Sequence, residues 1–344
     1  MSSKATRAFR LSVLNPGGRD PEQHFHAHAA AASAAHAPVN FHAYAACTGG
    51  SFFRDTEHAI AAAAPVLLLL KPGFRESERA LLALKEAGLK VAVSLKETGL
   101  HQIADQMEDR MHLQRLLRII AAADGYLAPT REAADLMRTV RREPATVAFI
   151  PTPYPLHDPQ WDFAGPIEHR HGVFVGTREF KVPSRNHAAA LFAARHISHT
   201  TGARVTVYNS ERRKGERLLS EFEFTPNRLR VLKVGVDYAE YLRTMAEHKL
   251  VLQMDTSFVP GQVAGDALLC RLPCLGGHGA VDRLGHPATC GSGRSTAELL
   301  EMATQLLCDA DFYARTIAES QQHARERLSF AGVAAQLEQF FGSL

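Results

Sequence analysis

Residues 151–166 read Pro-Thr-Pro-Tyr-Pro-Leu-His-Asp-Pro-Gln-Trp-Asp-Phe-Ala-Gly-Pro, five prolines in sixteen positions. Proline has no backbone N–H and its ring clashes with the preceding turn, so this stretch neither continues a helix nor sits in a central strand. It reads as a linker between two series, in each of which apolar runs of strand length alternate with helical patterns. A chain of 344 residues has the length of about two domains.

Before the linker, strands are expected at 9–14, 39–46, 66–70, 90–95, 126–128 and 147–150, and helices at 21–35, 56–63, 76–87, 113–123 and 131–140. After it, strands are expected at 172–175, 205–208, 229–234, 250–255 and 273–275, and helices at 186–200, 212–221, 238–247, 261–271 and 296–307, with a largely helical, polar stretch over 311–341. Such alternation predicts parallel sheets built from strand–helix–strand units. The expected fold class is α/β: two Rossmann-like doubly wound domains facing across a cleft, with a helical C-terminal tail. The expected division is 1–151, a linker at 152–170, 171–325, and a terminal helix at 326–344 that packs back on the first domain.

Composition excludes several classes. The chain is 46% hydrophobic and 22% charged, with a net charge of +3. That is ordinary globular usage, and too little positive charge for a dedicated nucleic-acid binder. The longest apolar run, 59–70, is too short to span a membrane and contains Pro65. Residues 1–10 lack a secretory pattern. Five cysteines, an odd and sparse set, read as reduced thiols of a cytoplasmic protein. Arginines between Arg138 and Arg142 leave a peripheral contact with anionic lipid at the inner membrane face open. His24, His26 and His28 alternate, so on a helix they do not converge on one ion, and Cys270 and Cys274 lack a second pair. No metal is expected.

In open parallel sheets ligands sit beyond the carboxyl ends of the strands. The first expected strand runs into Asn15-Pro-Gly-Gly-Arg, where Gly17 and Gly18 let a backbone approach a phosphate. The fourth ends in Ser94-Leu-Lys-Glu-Thr-Gly-Leu-His101, placing Lys96, Glu97 and His101 at one terminus. Glu97 and His101 are the candidate acid–base groups. The second domain opens with Val173-Phe-Val-Gly-Thr-Arg-Glu-Phe-Lys-Val-Pro-Ser-Arg-Asn186. Arg178, Lys181 and Arg185 there have the charge to neutralise a diphosphate. Farther on, Asp255-Thr-Ser-Phe-Val-Pro-Gly-Gln-Val-Ala-Gly-Asp266 supplies Ser257, a helix start at Gly261 and Gln262, and Asp266 one turn later, where a carboxylate suits the two hydroxyls of a ribose.

This pattern resembles the GT-B glycosyltransferases, in particular the second domain of the family-four retaining enzymes. Val175-Gly-Thr-Arg178 followed by Arg185-Asn186 is similar to the family's Gly-Arg…Lys segment. Tyr238-Ala-Glu-Tyr-Leu242 resembles its Tyr-x-x-x-Leu helix. Ser257, Gly261, Asp266-Ala267 and Pro273 follow the order of its Ser/Thr loop, glycine, acid–alanine pair and proline. The resemblance implies a nucleotide-sugar donor in the second domain, with Arg178 and Lys181 or Arg185 on its diphosphate and Asp266 on its ribose; Gly17, Gly18, Asn186, Ser257, Gly261 and Gln262 are further candidate donor contacts read from the strand ends. It implies an acceptor (glycan, lipid-linked, peptide or small molecule) in the first domain, no metal and no separate cofactor. Two positions depart from the family: Phe258 replaces the first Glu of Glu-x7-Glu, and Arg271 replaces the glycine before the proline. The expected function is a glycosyltransferase. The alternatives are a GT-B-like protein that binds nucleotide or glycan without turnover, and a sugar-nucleotide epimerase on the same scaffold.

Overall fold

Val66–Leu70 is a run of five aliphatic residues, all buried. A strand with no polar face has to be covered on both sides, and a parallel sheet with helices on each face provides that cover. The computed structural model describes residues 8–25, 36–233 and 235–344. They divide into two compact units, one formed by the chain up to Pro153 together with Phe330–Leu344, the other by Tyr154–Ser329.

The first unit's strands are β1 (Ser12–Leu14), β2 (Gln23–His24), β3 (Ser51–Phe53), β4 (Val66–Leu70), β5 (Val91–Leu95), β6 (Gly125–Ala128) and β7 (Val147–Phe149), ordered β2-β3-β1-β4-β5-β6-β7. All neighbours are parallel except β2 and β3. Its helices up to the unit boundary are α1 (Asn40–Cys47), α2 (Thr56–Ala61), α3 (Arg75–Glu86), α4 (Leu100–Met107), α5 (Arg110–Ala122) and α6 (Arg131–Val140). Leu81, Leu116, Ile120 and Met137 from α3, α5 and α6 pack on Leu68, Leu70, Val93 and Leu95 on one face of the sheet.

In the second unit the strands are β8 (Val173–Val175), β9 (Val205–Asn209), β10 (Leu229–Lys233), β11 (Leu250–Leu252) and β12 (Cys274–Leu275), in the order β10-β9-β8-β11-β12. The helices are α7 (His187–Thr201), α8 (Arg212–Ser220), α9 (Tyr238–Ala246), α10 (Gln262–Leu269), α11 (Ala280–Gly285), α12 (Thr296–Cys308) and α13 (Ala310–Arg327). The last helix, α14 (Phe330–Ser343), belongs to the first unit. Its Val333, Leu337, Phe340 and Phe341 join Leu11, Val13, Phe52, Leu67 and Leu69 on the face opposite α3 and α5.

Three expectations are corrected. Residues 39–46 form helix α1, not a strand. A short apolar run does not by itself distinguish the two, and four of the eight residues of α1 are polar or aromatic while three are alanine, the best helix former. The strand slot beside β1 is taken by Ser51–Phe53, which pairs with β1 residue for residue. Gln23 and His24, expected in a helix over 21–35, form an antiparallel edge strand instead. The remainder of that expected helix, with His26 and His28, lies outside the described residues, as does Val234. The proline-rich stretch is part of the second unit from Tyr154 onward, not a free linker. Tyr154 N–H donates to Leu328 O at 2.8 Å, Tyr154 is 1% exposed, and Arg170 donates to the carbonyls of Gly165 and Arg271. Proline there ends regular structure without preventing burial. Helices α4 and α11 were not expected.

Candidate functional site

In each sheet the direction of winding reverses beside the first strand of its unit, β1 or β8, and the crevice at such a reversal is where an open α/β sheet takes its ligand. In the second unit the reversal lies between β8 and β11, which pair in parallel with Val175 opposite Leu252. The loops that leave these strands carry Arg178, Lys181, Arg185 and Asn186 on one side and Ser257, Gly261 and Gln262 on the other.

The two loops are locked together. Arg185 Nη1 pairs with Asp255 Oδ2, a carboxylate 3% exposed. The other oxygen of Asp255 accepts from the backbone N–H of Ser257 at 2.8 Å and from its hydroxyl. Asn186 adopts the left-handed conformation (φ 47°) and donates from Nδ2 to Met254 O at 3.0 Å and Thr256 Oγ1 at 3.2 Å. Thr256 N–H donates to Ser184 O at 2.9 Å. On its far side the β8 loop is held by Glu211, whose Oε1 accepts from the N–H groups of Phe180 (3.1 Å) and Lys181 (3.2 Å). Arg185 and Asn186 therefore position the loop, and Arg185 is largely neutralised by Asp255. Arg178 is 51% exposed and pairs with the adjacent Glu179, its only ion-pair partner among the described residues, and Lys181 is exposed. These two cations are turned to solvent.

Across from them α10 begins without a side-chain cap at Gly261. The first N–H groups of a helix have no partner within it, so this end offers donors and the positive end of the helix dipole. Gly261 is required there: its φ is +92°, and a Cβ would lie 2.8 Å from Asp282 Oδ2. Asp282, 2% exposed, accepts from Gln253 Nε2 at 2.7 Å and stands among Gly261, Gly277 and Gly279. Burial, reinforced by the charge of Asp255, pushes its pKa up to about 7 against hydrogen bonds that pull the other way. Asp282 was not anticipated. Its signal was the glycine run Gly276-Gly-His-Gly279 after a strand.

Asp266 faces inward. It is 2% exposed and accepts from the Tyr238 hydroxyl at 2.5 Å. Tyr238 stacks on Tyr241 and lies 6.0 Å from the Trp161 ring. Burial pushes the Asp266 pKa up to about 7, and the opposing pull of Tyr238, Arg178 and Tyr241 is smaller. Asp266 does not present the open carboxylate that a ribose contact requires.

Phe258 has φ 51°, and its ring packs edge-on to His278 with the Arg283 guanidinium 5.6 Å from its centre. Arg271 has φ 49°, in the left-handed region that favours glycine, and pairs with Asp162. The conformation explains why a glycine belongs at that position in the pattern the chain resembles.

In the first unit, Gly17 (φ +61°) and Gly18 follow β1 at its switch point, beside β4. Lys71, the residue after β4, donates from Nζ to Gly17 O at 2.9 Å and Pro16 O at 3.3 Å. Glu97, after β5, accepts from Gln102 Nε2 at 2.7 Å, and its carbonyl accepts from Gln106. His101 lies in the first turn of α4. Among the described residues no three His, Cys, Asp or Glu side chains are grouped as a metal site. No helix among them is long and apolar enough to cross a membrane.

Taken together, two parallel α/β units with switch points beside β1 and β8 define the GT-B fold. No family model matches the sequence, and no curated protein matches it. Solved structures do. Anabaena HepE, in complex with UDP and glucose, is 12% identical, with 98% of this chain and 100% of that one covered at a TM-score of 0.64. Sucrose-phosphate synthase from Thermosynechococcus elongatus is 14% identical, with 97% and 98% covered at 0.65. TarM from S. aureus, in complex with fondaparinux, alpha-GlcNAc-glycerol and UDP, is 12% identical, with 80% and 55% covered at 0.62. At these identities the likeness establishes the fold.

Proposed function

We propose that the chain is a metal-independent glycosyltransferase that uses a nucleoside-diphosphate sugar. The observation that carries this reading is the second unit's switch point, where Arg178 and Lys181 stand at the end of β8 and the uncapped start of α10 follows β11. Cations and helix N–H groups at the ends of adjacent strands can stabilise the charge that develops on a departing diphosphate. The bond from the anomeric carbon to the β-phosphate oxygen breaks, and a bond to an acceptor hydroxyl oxygen forms. The hydroxyl proton passes to a base, for which Glu97 and His101 are the candidates. Arg185, Asn186 and Ser257 position the donor loops, and Asp266 holds Tyr238.

UDP and GDP binding by titration calorimetry tests the donor site. Arg178→Ala and Lys181→Ala are each expected to weaken binding about tenfold, the loss of roughly one charge-assisted contact. Stability should stay within about 0.5 kcal/mol, because both side chains are exposed. Unchanged affinity in both variants would remove the donor site. A second reading, binding without turnover, is favoured by Phe258, an apolar ring where the resembled motif has a carboxylate. It predicts nucleotide binding with no transfer or hydrolysis of the sugar.

A further inference from the structure

Asn15, the residue after β1, is fully buried, and neither atom of its side-chain amide has a hydrogen-bond partner. Leaving one such group unpaired costs about 1–3 kcal/mol. Its amide lies directly under the following loop: a Cβ on Gly18 would come 2.4 Å from Asn15 Nδ2. The same loop is fastened by Lys71, whose ammonium is bound to two neutral carbonyls, those of Pro16 and Gly17.

A second unpaired group lies on the same face of the sheet. His42, in the first turn of α1, is 3% exposed and its Nε2 has no partner. Its ring is stacked between Phe52 at 3.7 Å and His36 at 3.9 Å. Phe52 is the ladder partner of Val13, and Val13, Leu69 and Ala92 share one core. Strand alternation therefore places Asn15, Lys71 and Lys96, two or four residues on from these, on that face at its carboxyl edge. The ladder continues through this edge: Asn15 N–H donates to Phe53 O at 2.8 Å and Lys96 N–H to Leu70 O at 3.0 Å. Burial, followed by the charges of His36 and Lys96, holds His42 neutral, with its pKa pushed down to about 3. Lys96 has no ion-pair partner among the described residues.

We propose that this edge is an oxyanion subsite for the acceptor, so that the substrate accepting the sugar is acidic, bearing a phosphate or carboxylate bound by Lys71, Lys96, the Asn15 amide and His42. An anion gives Lys71 a charged acceptor in place of two neutral carbonyls, a stronger bond. That releases the Gly17-Gly18 loop, whose glycines tolerate the movement, and uncovers the Asn15 amide. The assignment of this subsite to the acceptor rests on the glycosyltransferase reading; the subsite itself does not.

The test is calorimetric titration of the full chain with glucose 6-phosphate, glucuronate and glucose, with and without saturating UDP. Either acidic sugar is expected to bind at least tenfold more tightly than glucose, and the tighter one identifies the anion. UDP should not displace it. Lys71→Met and Lys96→Gln should each cost at least tenfold in that affinity and nothing in affinity for UDP. Asn15→Leu should also weaken it while raising the unfolding temperature, because the variant removes an unpaired buried amide; a purely structural amide would give the opposite shift. Equal affinity for the three sugars, no binding of any, or displacement by UDP overturns the proposal. Binding of the acidic sugar by a chain that binds neither UDP nor GDP leaves the subsite standing and removes the glycosyltransferase reading.

Discussion

Burial holds Asp266 and Asp282 at pKa values of about 7, well above the ordinary 3.8. The folded protein keeps these protons while the unfolded chain sheds them. Their contribution to stability is full below pH about 4 and is lost as pH rises to about 7. His187, His248 and His286, pushed down to about 4 by burial from 6.5, act in the opposite direction. Their contribution is full above pH 6.5 and is lost as pH falls toward 4. Three histidines against two acids leave a net of one proton, so these groups together make the second unit gain stability from pH 4 to 6.5. Asp266→Asn keeps an acceptor for Tyr238 and removes one opposing proton. The rise should then steepen by about 1.4 kcal/mol per pH unit, measured as the urea midpoint against pH. A profile parallel to the parent would show that Asp266 is ionised in the folded protein. The sequence placed Asp266 one turn into its helix. It contained no sign of the Tyr238 hydroxyl, twenty-eight residues away, or of the burial that turns the acid inward.

At the scale of elements, Gly265 shows how packing reverses a propensity. Alanine in the middle of α10 would ordinarily gain about 1 kcal/mol over glycine. Here the added Cβ would fall 1.8 Å from Tyr154 Cζ, inside a ring that is itself 1% exposed. Gly265→Ala is expected to destabilise the second unit by about 3 kcal/mol or more, in the range of severe overpacking. Unchanged thermal unfolding would show that Tyr154 has room to move. Most elements were legible because the strands are short apolar runs bounded by turn residues. Val66–Leu70 and Arg131–Val140 coincide with their expected bounds. Asn40–Cys47 was misread because helix and strand patterns converge in eight residues, and tertiary context decided between them: Tyr44, with its hydroxyl donating to Ile150 O at 2.7 Å, packs there as part of a helix layer.

For the whole molecule, the first unit is completed by the chain's end. Val333, Leu337, Phe340 and Phe341 are buried in its core, Lys90 Nζ donates to Phe341 O at 2.8 Å, and Leu344 lies against Gly125. Burying four such side chains contributes about 6–12 kcal/mol, comparable with the roughly 5–15 kcal/mol stability of a whole domain. Deleting 330–344 is therefore expected to unfold the first unit while the second, Tyr154–Ser329, keeps its own core. Limited proteolysis should then degrade the chain up to Pro153 and leave a fragment from about 154 onward. Equal resistance of both units would show that α14 is dispensable.

By itself the sequence determined the α/β class, the two-unit plan and the strand ends that bear charge, because these depend on hydrophobic periodicity and on glycine and proline placed next to apolar runs. Which charges are spent inside the protein was decided only by the tertiary structure. Arg185 is taken up by Asp255, Asp266 by Tyr238 and Lys71 by carbonyls of the loop that follows β1, whereas the Asn15 amide and His42 Nε2 remain buried and unpaired. Each of these outcomes depends on distances between residues far apart in the chain, and no local pattern encodes such distances.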